Sequence, residues 1–244
     1  MRAALALALA AAAFAAATGP VLAETREYDL PAFHAIDIAT GLNAVVTVGG
    51  EQSVSVESER SEPFDKLELD VENGTLRARF EADFFDFIMS GGLLGLLVNG
   101  RPDVTVHITM PKLDRIEASS GADVAASGMS GDTLKANASS GADIDLADVT
   151  VGSFSASVSS GASFAAAGSC ETVDADVSSG GDLDLADLVC KSVTANASSG
   201  GDMDVHALES IRANASSGGD IGISGNPAQT DFNSSSGGDI DLDD

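Results

Sequence analysis

Ser-Ser-Gly recurs seven times along the second half of the chain, with its glycine at Gly121, Gly141, Gly161, Gly180, Gly200, Gly218 and Gly237. The successive spacings are 20, 20, 19, 20, 18 and 19 residues. A unit that short cannot enclose a hydrophobic core, so each copy must bury its apolar face against its neighbours. That requirement points to a solenoid before any other residue is read.

Each unit carries two strand patterns. Ahead of the glycine, apolar residues take alternate positions, as in Phe154, Ala156 and Val158, or Val173, Ala175 and Val177, with polar residues such as Asp174, Asp176, Thr194 and Asn196 between them. A period of two means a strand with one buried face. Behind the glycine the alternation resumes as Asp143-Ile144-Asp145-Leu146, Asp182-Leu183-Asp184-Leu185 and Asp202-Met203-Asp204-Val205. The apolar members point in and the aspartates point out. Glycine supplies the positive φ that a tight corner needs. Hairpins would require a reversal between every pair of strands, whereas one corner motif per unit suits coils wound in one sense. The fold expected is therefore all-β, a parallel β-helix with coils about 4.8 Å apart. An antiparallel β-sandwich is the rival.

Two cysteines test that register. Cys170 and Cys190 each lie ten residues before a corner glycine, Gly180 and Gly200. They should stack on adjacent coils, inside the Cα window that a disulfide tolerates. A Cys170–Cys190 bond is expected. Glu171 and Lys191 follow in the same register as an expected ion pair.

Residues 1–23 read as a secretory signal peptide: Arg2 supplies the positive end, an Ala/Leu-rich run follows, and Val21-Leu22-Ala23 offers small residues for cleavage after Ala23. The expectation is an exported chain, periplasmic or secreted, with no membrane span after cleavage and with its thiols in an oxidising compartment. Residues 24–111 form a less regular β-rich part that starts or caps the solenoid, and residues 112–244 form the repeats. Asn73-Gly74 between alternating segments marks a hairpin. The formal charge of −26 is concentrated in the repeats, where residues 112–244 hold 22 acids and 5 bases. Such a surface excludes nucleic acid as a partner and favours cations or basic partners.

One segment breaks the pattern. Residues 84–98 are strongly apolar, and Phe84, Phe85, Phe87, Ile88, Leu93, Leu94, Leu96 and Leu97 form either a cover over the solenoid end or an interaction patch.

The aspartate columns are the candidate for specific chemistry. Asp143, Asp145, Asp182, Asp184, Asp202 and Asp204 would stack like charges at about 5 Å, and calcium relieves such repulsion. The alternative is a solvated acidic face that binds no metal. No cofactor motif is present. The chain has no Trp, one Tyr and three well-separated histidines, His34, His107 and His206. His107, between Val106 and Ile108, reads as an outward strand residue. The serines belong to corners, not to a nucleophile elbow. The chain is expected not to be an enzyme.

The order Phe33-His34-Ala35-Ile36-Asp37, the Asn73-Gly74-Thr75-Leu76 turn, Val104-Thr105-Val106-His107-Ile108-Thr109-Met110-Pro111 and the Ser-Ser-Gly-Ala/Gly-Asp repeats resemble the auto-transporter adhesin head, or GIN, domain family over roughly residues 30–242. The resemblance implies a right-handed β-helix in an exported bacterial protein. It carries over no catalytic residues. The partners it implies are an envelope protein or a glycan. A structural role in the envelope, with weak self-association end to end, is the alternative.

Overall fold

Alternation of apolar and polar residues builds seventeen strands into one continuous sheet wound on itself. The computed structural model describes residues 24–58, 62–80 and 104–242. The strands are β1 (Glu24–Tyr28), β2 (Ala35–Ile38), β3 (Asn43–Val48), β4 (Ser53–Ser58), β5 (Leu67–Glu72), β6 (Thr75–Phe80), β7 (Val104–Met110), β8 (Arg115–Ala118), β9 (Asp123–Ser127) and β10 (Ser130–Ala138). Then come β11 (Asp143–Ser159), β12 (Ser163–Ser178), β13 (Asp182–Ser198), β14 (Asp202–Ser216), β15 (Asp220–Gly225), β16 (Gln229–Ser235) and β17 (Asp239–Leu242). The result is a β-solenoid of about 6 turns.

From β8 onward every pairing is parallel, so the sandwich alternative is set aside. The repeats stack in the expected register: Ser159, Ser178, Ser198, Ser216 and Ser235 form one column. Inside, Val124, Ile144, Phe164, Leu183, Met203, Ile221 and Ile240 form another. Each coil turns three corners. In one coil they fall between Ala138 and Ala142, where the in-and-out phase is kept across the turn, and between Leu146 and Val149 and between Val151 and Phe154, where it slips; all six residues are buried. Each coil is thus three-sided, with two long ladders and a short one. The short ladder contains Val149–Val151 and its partners Gly168–Cys170.

The Ser-Ser-Gly corner is tighter than glycine alone requires. The second serine is also left-handed, with φ of 55° at Ser140, 58° at Ser160 and 55° at Ser179, next to glycines near 70°. The Ala142 N–H donates to the Ser139 carbonyl at 3.2 Å. Two consecutive positive φ values closed by that bond define a type I′ turn. The sequence motif assigns positive φ to glycine only; the turn imposes it on serine too, at a steric cost of about 1–2 kcal/mol per residue. An eighth corner of the same kind stands at Thr40 (φ 64°) and Gly41 (φ 67°), outside the Ser-Ser-Gly series.

The amino-terminal part joins the stack out of chain order. The coil made by β2 and β3 lies between the one made by β6 and β7 and the one made by β8 and β9. Antiparallel strands finish that end: β4 pairs with β7, β1 with β4, and β5 with β6 around the Asn73-Gly74 turn. Asp37 on β2 sits among Glu117, Arg77, Arg79 and Arg115, and burial, reinforced by Glu117, raises its carboxyl above the usual carboxylate range. The folded protein therefore holds this proton more tightly than the unfolded chain. Asp37 opposes folding once the pH exceeds its folded value, and the penalty disappears as the pH falls to the unfolded one. Asp37→Asn is expected to leave neutral-pH stability unchanged or slightly higher, with the difference narrowing in acid, as read by thermal melts across pH.

Candidate functional surface

The outward positions of the two long ladders form an in-register surface across the coils. The strand alternation that buries Ile144 and Leu146 exposes Asp143 and Asp145, and it does the same for Asp182 and Asp184 around Leu183, and for Asp202 and Asp204 around Met203. Register pairs stack Asp123, Asp143, Ser163, Asp182, Asp202, Asp220 and Asp239. Two residues further on, Ala125, Asp145, Ala165, Asp184, Asp204, Gly222 and Asp241 stack. The acidic columns are therefore interrupted together at one coil, where Ser163 and Ala165 stand. Among the described residues no group of three or more His, Cys, Asp or Glu side chains is placed to hold a metal ion. A calorimetric calcium titration is expected to show no submillimolar site.

The staple sits on the short ladder. Cys170 and Cys190 are register partners on adjacent coils, with Cα atoms 4.6 Å apart, and they form a disulfide. One residue on, the Lys191 ammonium reaches Glu171 at 2.6 Å. The bond closes a loop spanning 20 residues. Loop-closure entropy assigns such a bond about 3 kcal/mol. Replacing both cysteines by serine is expected to cost about that much in denaturant unfolding and to lower hydrogen-exchange protection first in coils 163–198.

The long ladder ahead of the corners is bonded by side-chain amides. The Asn196 amide donates to Asp176 at 3.0 Å, and the Asn214 amide donates to Asn196 at 2.9 Å. Among the described residues no further coil is stacked on β16 and β17. Phe232 and Leu242 continue the core columns of Ala213 and Ile223 yet are 41% and 42% exposed. End-to-end association is among the sequence expectations; the exposure of Phe232 is not, because each residue obeys its strand pattern. The apolar segment with Phe84, Phe85, Phe87, Ile88, Leu93, Leu94, Leu96 and Leu97 lies outside the described residues.

The histidines are dispersed. His34 Nδ1 lies 3.5 Å from Asp114, and His107 Nε2 lies 3.4 Å from Glu57. His206 Nδ1 is 3.0 Å from the Ser224 hydroxyl, which also donates to the Val205 carbonyl at 3.2 Å. Among the described residues no carboxylate lies within ion-pair distance of His206.

The model of the family described as "Putative auto-transporter adhesin, head GIN domain" matches residues 32–227. The chain belongs to this family. Solved structures show the same GIN-type fold. A "putative adhesin" from Bacteroides fragilis superimposes with a TM-score of 0.77 at 18% identity, over 91% of this chain and 97% of its own. A "putative adhesin" from Parabacteroides merdae gives 0.67 at 17% identity, over 93% and 98%. A "putative lipid binding protein" from Parabacteroides distasonis gives 0.65 at 19% identity, over 91% and 98%. No curated protein matches the chain at a significant level.

Proposed function

We propose that this GIN domain is an exported, non-catalytic binding module of the cell envelope, adhesin-head-like, whose partner is an envelope protein or a glycan. The observation that supports it most is the in-register outward surface. Parallel coils hold rows of side chains at fixed spacing on a rigid support, an arrangement suited to reading an extended partner and not to enclosing a small substrate. The disulfide across two coils fits an exported protein in an oxidising compartment, with the leader removed after Ala23. The test is crosslinking and pull-down from envelope extract with the mature protein, alongside a glycan array. Saturable capture of one partner or glycan class supports the reading, and turnover of a captured glycan would overturn the non-catalytic part.

A second reading is assembly through the coil of β16 and β17, favoured by exposed Phe232 and Leu242. Concentration-dependent light scattering that vanishes in Phe232→Ser would support it. A monomer at all concentrations removes it.

A further inference from the structure

An apolar groove of about 380 Å³ runs along the corner between one long ladder and the short ladder. Its outward column is Val45, Ala125, Asp145, Ala165 and Asp184, in register across five coils. Val45 is one of four large hydrophobic residues that stand exposed among the described residues, at 43%. Alanines at 125 and 165, where other coils carry aspartate, lower the surface between taller neighbours. Asp145, Asp184 and Asp187 are exposed on the groove's rim. None of these three forms a salt bridge among the described residues. The two basic residues beyond Lys135, Lys191 and Arg212, are already engaged by Glu171 at 2.6 Å and Asp231 at 3.1 Å. The Ala186 N–H donates to the Asp184 carboxylate at 3.0 Å, but among the described residues no cation meets the rim, which carries its negative charge beside a floor that water solvates poorly.

We infer that this groove docks an extended segment of a partner protein that is apolar at its Val45 end and carries lysine or arginine from its middle to its Asp184 end. Four coil spacings of about 4.8 Å give a length of about 19 Å, which seats about six extended residues. The apolar side chains lie on Val45, Ala125 and Ala165. The cations meet Asp145, Asp184 and Asp187, which gain hydrogen-bonded partners of opposite charge next to low-dielectric surface. The inference rests on the binding-module reading and names the chemistry of the partner.

The probe is a fluorescein-labelled peptide of three alternating leucine and alanine residues and then three alternating lysine and alanine residues, followed by anisotropy. A matched peptide with glutamates in place of the lysines and free spermidine are the comparisons. The lysine peptide is expected to bind and spermidine to compete only weakly, because it lacks the apolar end. Asp145→Asn, Asp184→Asn and Asp187→Asn combined should weaken the peptide by at least about tenfold, and Ala165→Phe, which fills the groove, by a similar factor. The control removes the same charge elsewhere on the face, with Asp202→Asn, Asp220→Asn and Asp239→Asn combined, and should change affinity by less than about twofold. All these positions point outward, so melting temperatures should hold. Should a variant unfold, hydrogen exchange of the unmodified protein with bound peptide decides, with new protection expected at residues 123–127 and 145–149. No binding, equal loss in both triple variants, equal binding of the glutamate peptide, or protection elsewhere would overturn the inference. A groove variant that still captures its envelope partner overturns the groove alone. A groove that binds the peptide in a protein that captures nothing from the envelope sinks the binding-module reading instead.

Discussion

Gly168→Ala is expected to destabilise the protein by on the order of 5 kcal/mol or to prevent folding. A Cβ at this position would stand 2.0 Å from the Val149 carbonyl oxygen and 2.7 Å from its amide nitrogen. Both are backbone atoms of the adjacent coil, which cannot swing aside as a side chain would. The φ of 144° adds strain for any residue with a Cβ. The cause is visible in the register. Between Leu146 and Val149 the chain has two residues at its corner, whereas between their partners Ala166 and Gly168 it has one. This unit, from Gly161 to Gly180, has 19 residues where the one before it has 20, and the missing residue draws its backbone onto the coil before it. Gly161→Ala is the control. Its φ is 69° but nothing lies within 4 Å of the added carbon, so only left-handed strain of about 1–2 kcal/mol remains. Equal denaturation midpoints for the two variants would show that the coils are not this close at Gly168.

Phe154→Ala is expected to cost about 3–5 kcal/mol. Phe154 is fully buried, and its ring lies 6.0 Å from that of Phe164 across the core of the same coil. Its column neighbours are Leu134 and Val173, and the next inward position is alanine in every repeat coil from Ala136 to Ala213. The core is thin at those alanines and wide here, so the two rings fill a section that the alanines cannot collapse into. Phe154→Leu keeps most of the volume and should cost less than about 1.5 kcal/mol. Urea unfolding followed by circular dichroism measures both. A loss under about 1 kcal/mol for the alanine variant would mean that the two ladders do not close on each other.

Much of the carboxy-terminal half is legible residue by residue. Alternation assigned Ile144 and Leu146 to the interior and Asp143 and Asp145 to solvent, and a constant offset from the corner placed Cys170 over Cys190. These inferences need only local rules and a repeat, since residues at equal offsets share a column. The second left-handed serine was not legible, because Ser140 has no residue type that demands φ above zero; the turn compels it. The corner at Thr40-Gly41 was not legible because it lacks the Ser-Ser-Gly motif that marks the others. Gly168 looks like any glycine until the coil lengths on either side are laid in register. The groove from Val45 to Asp184 joins residues up to 139 positions apart, and no local pattern links them.

The amino acids alone settled which side chains face inward, where the repeats turn, and which cysteines meet. These follow from hydrophobic alternation and from the backbone freedom of glycine, both of which act within a few residues. Only the folded chain decided that β2 and β3 slip between coils that follow them in sequence, and that Phe232 stands exposed on the coil of β16 and β17. Those outcomes depend on which unpaired strand edge finds which, a choice among pairings that are locally alike and separated only by how the whole stack packs.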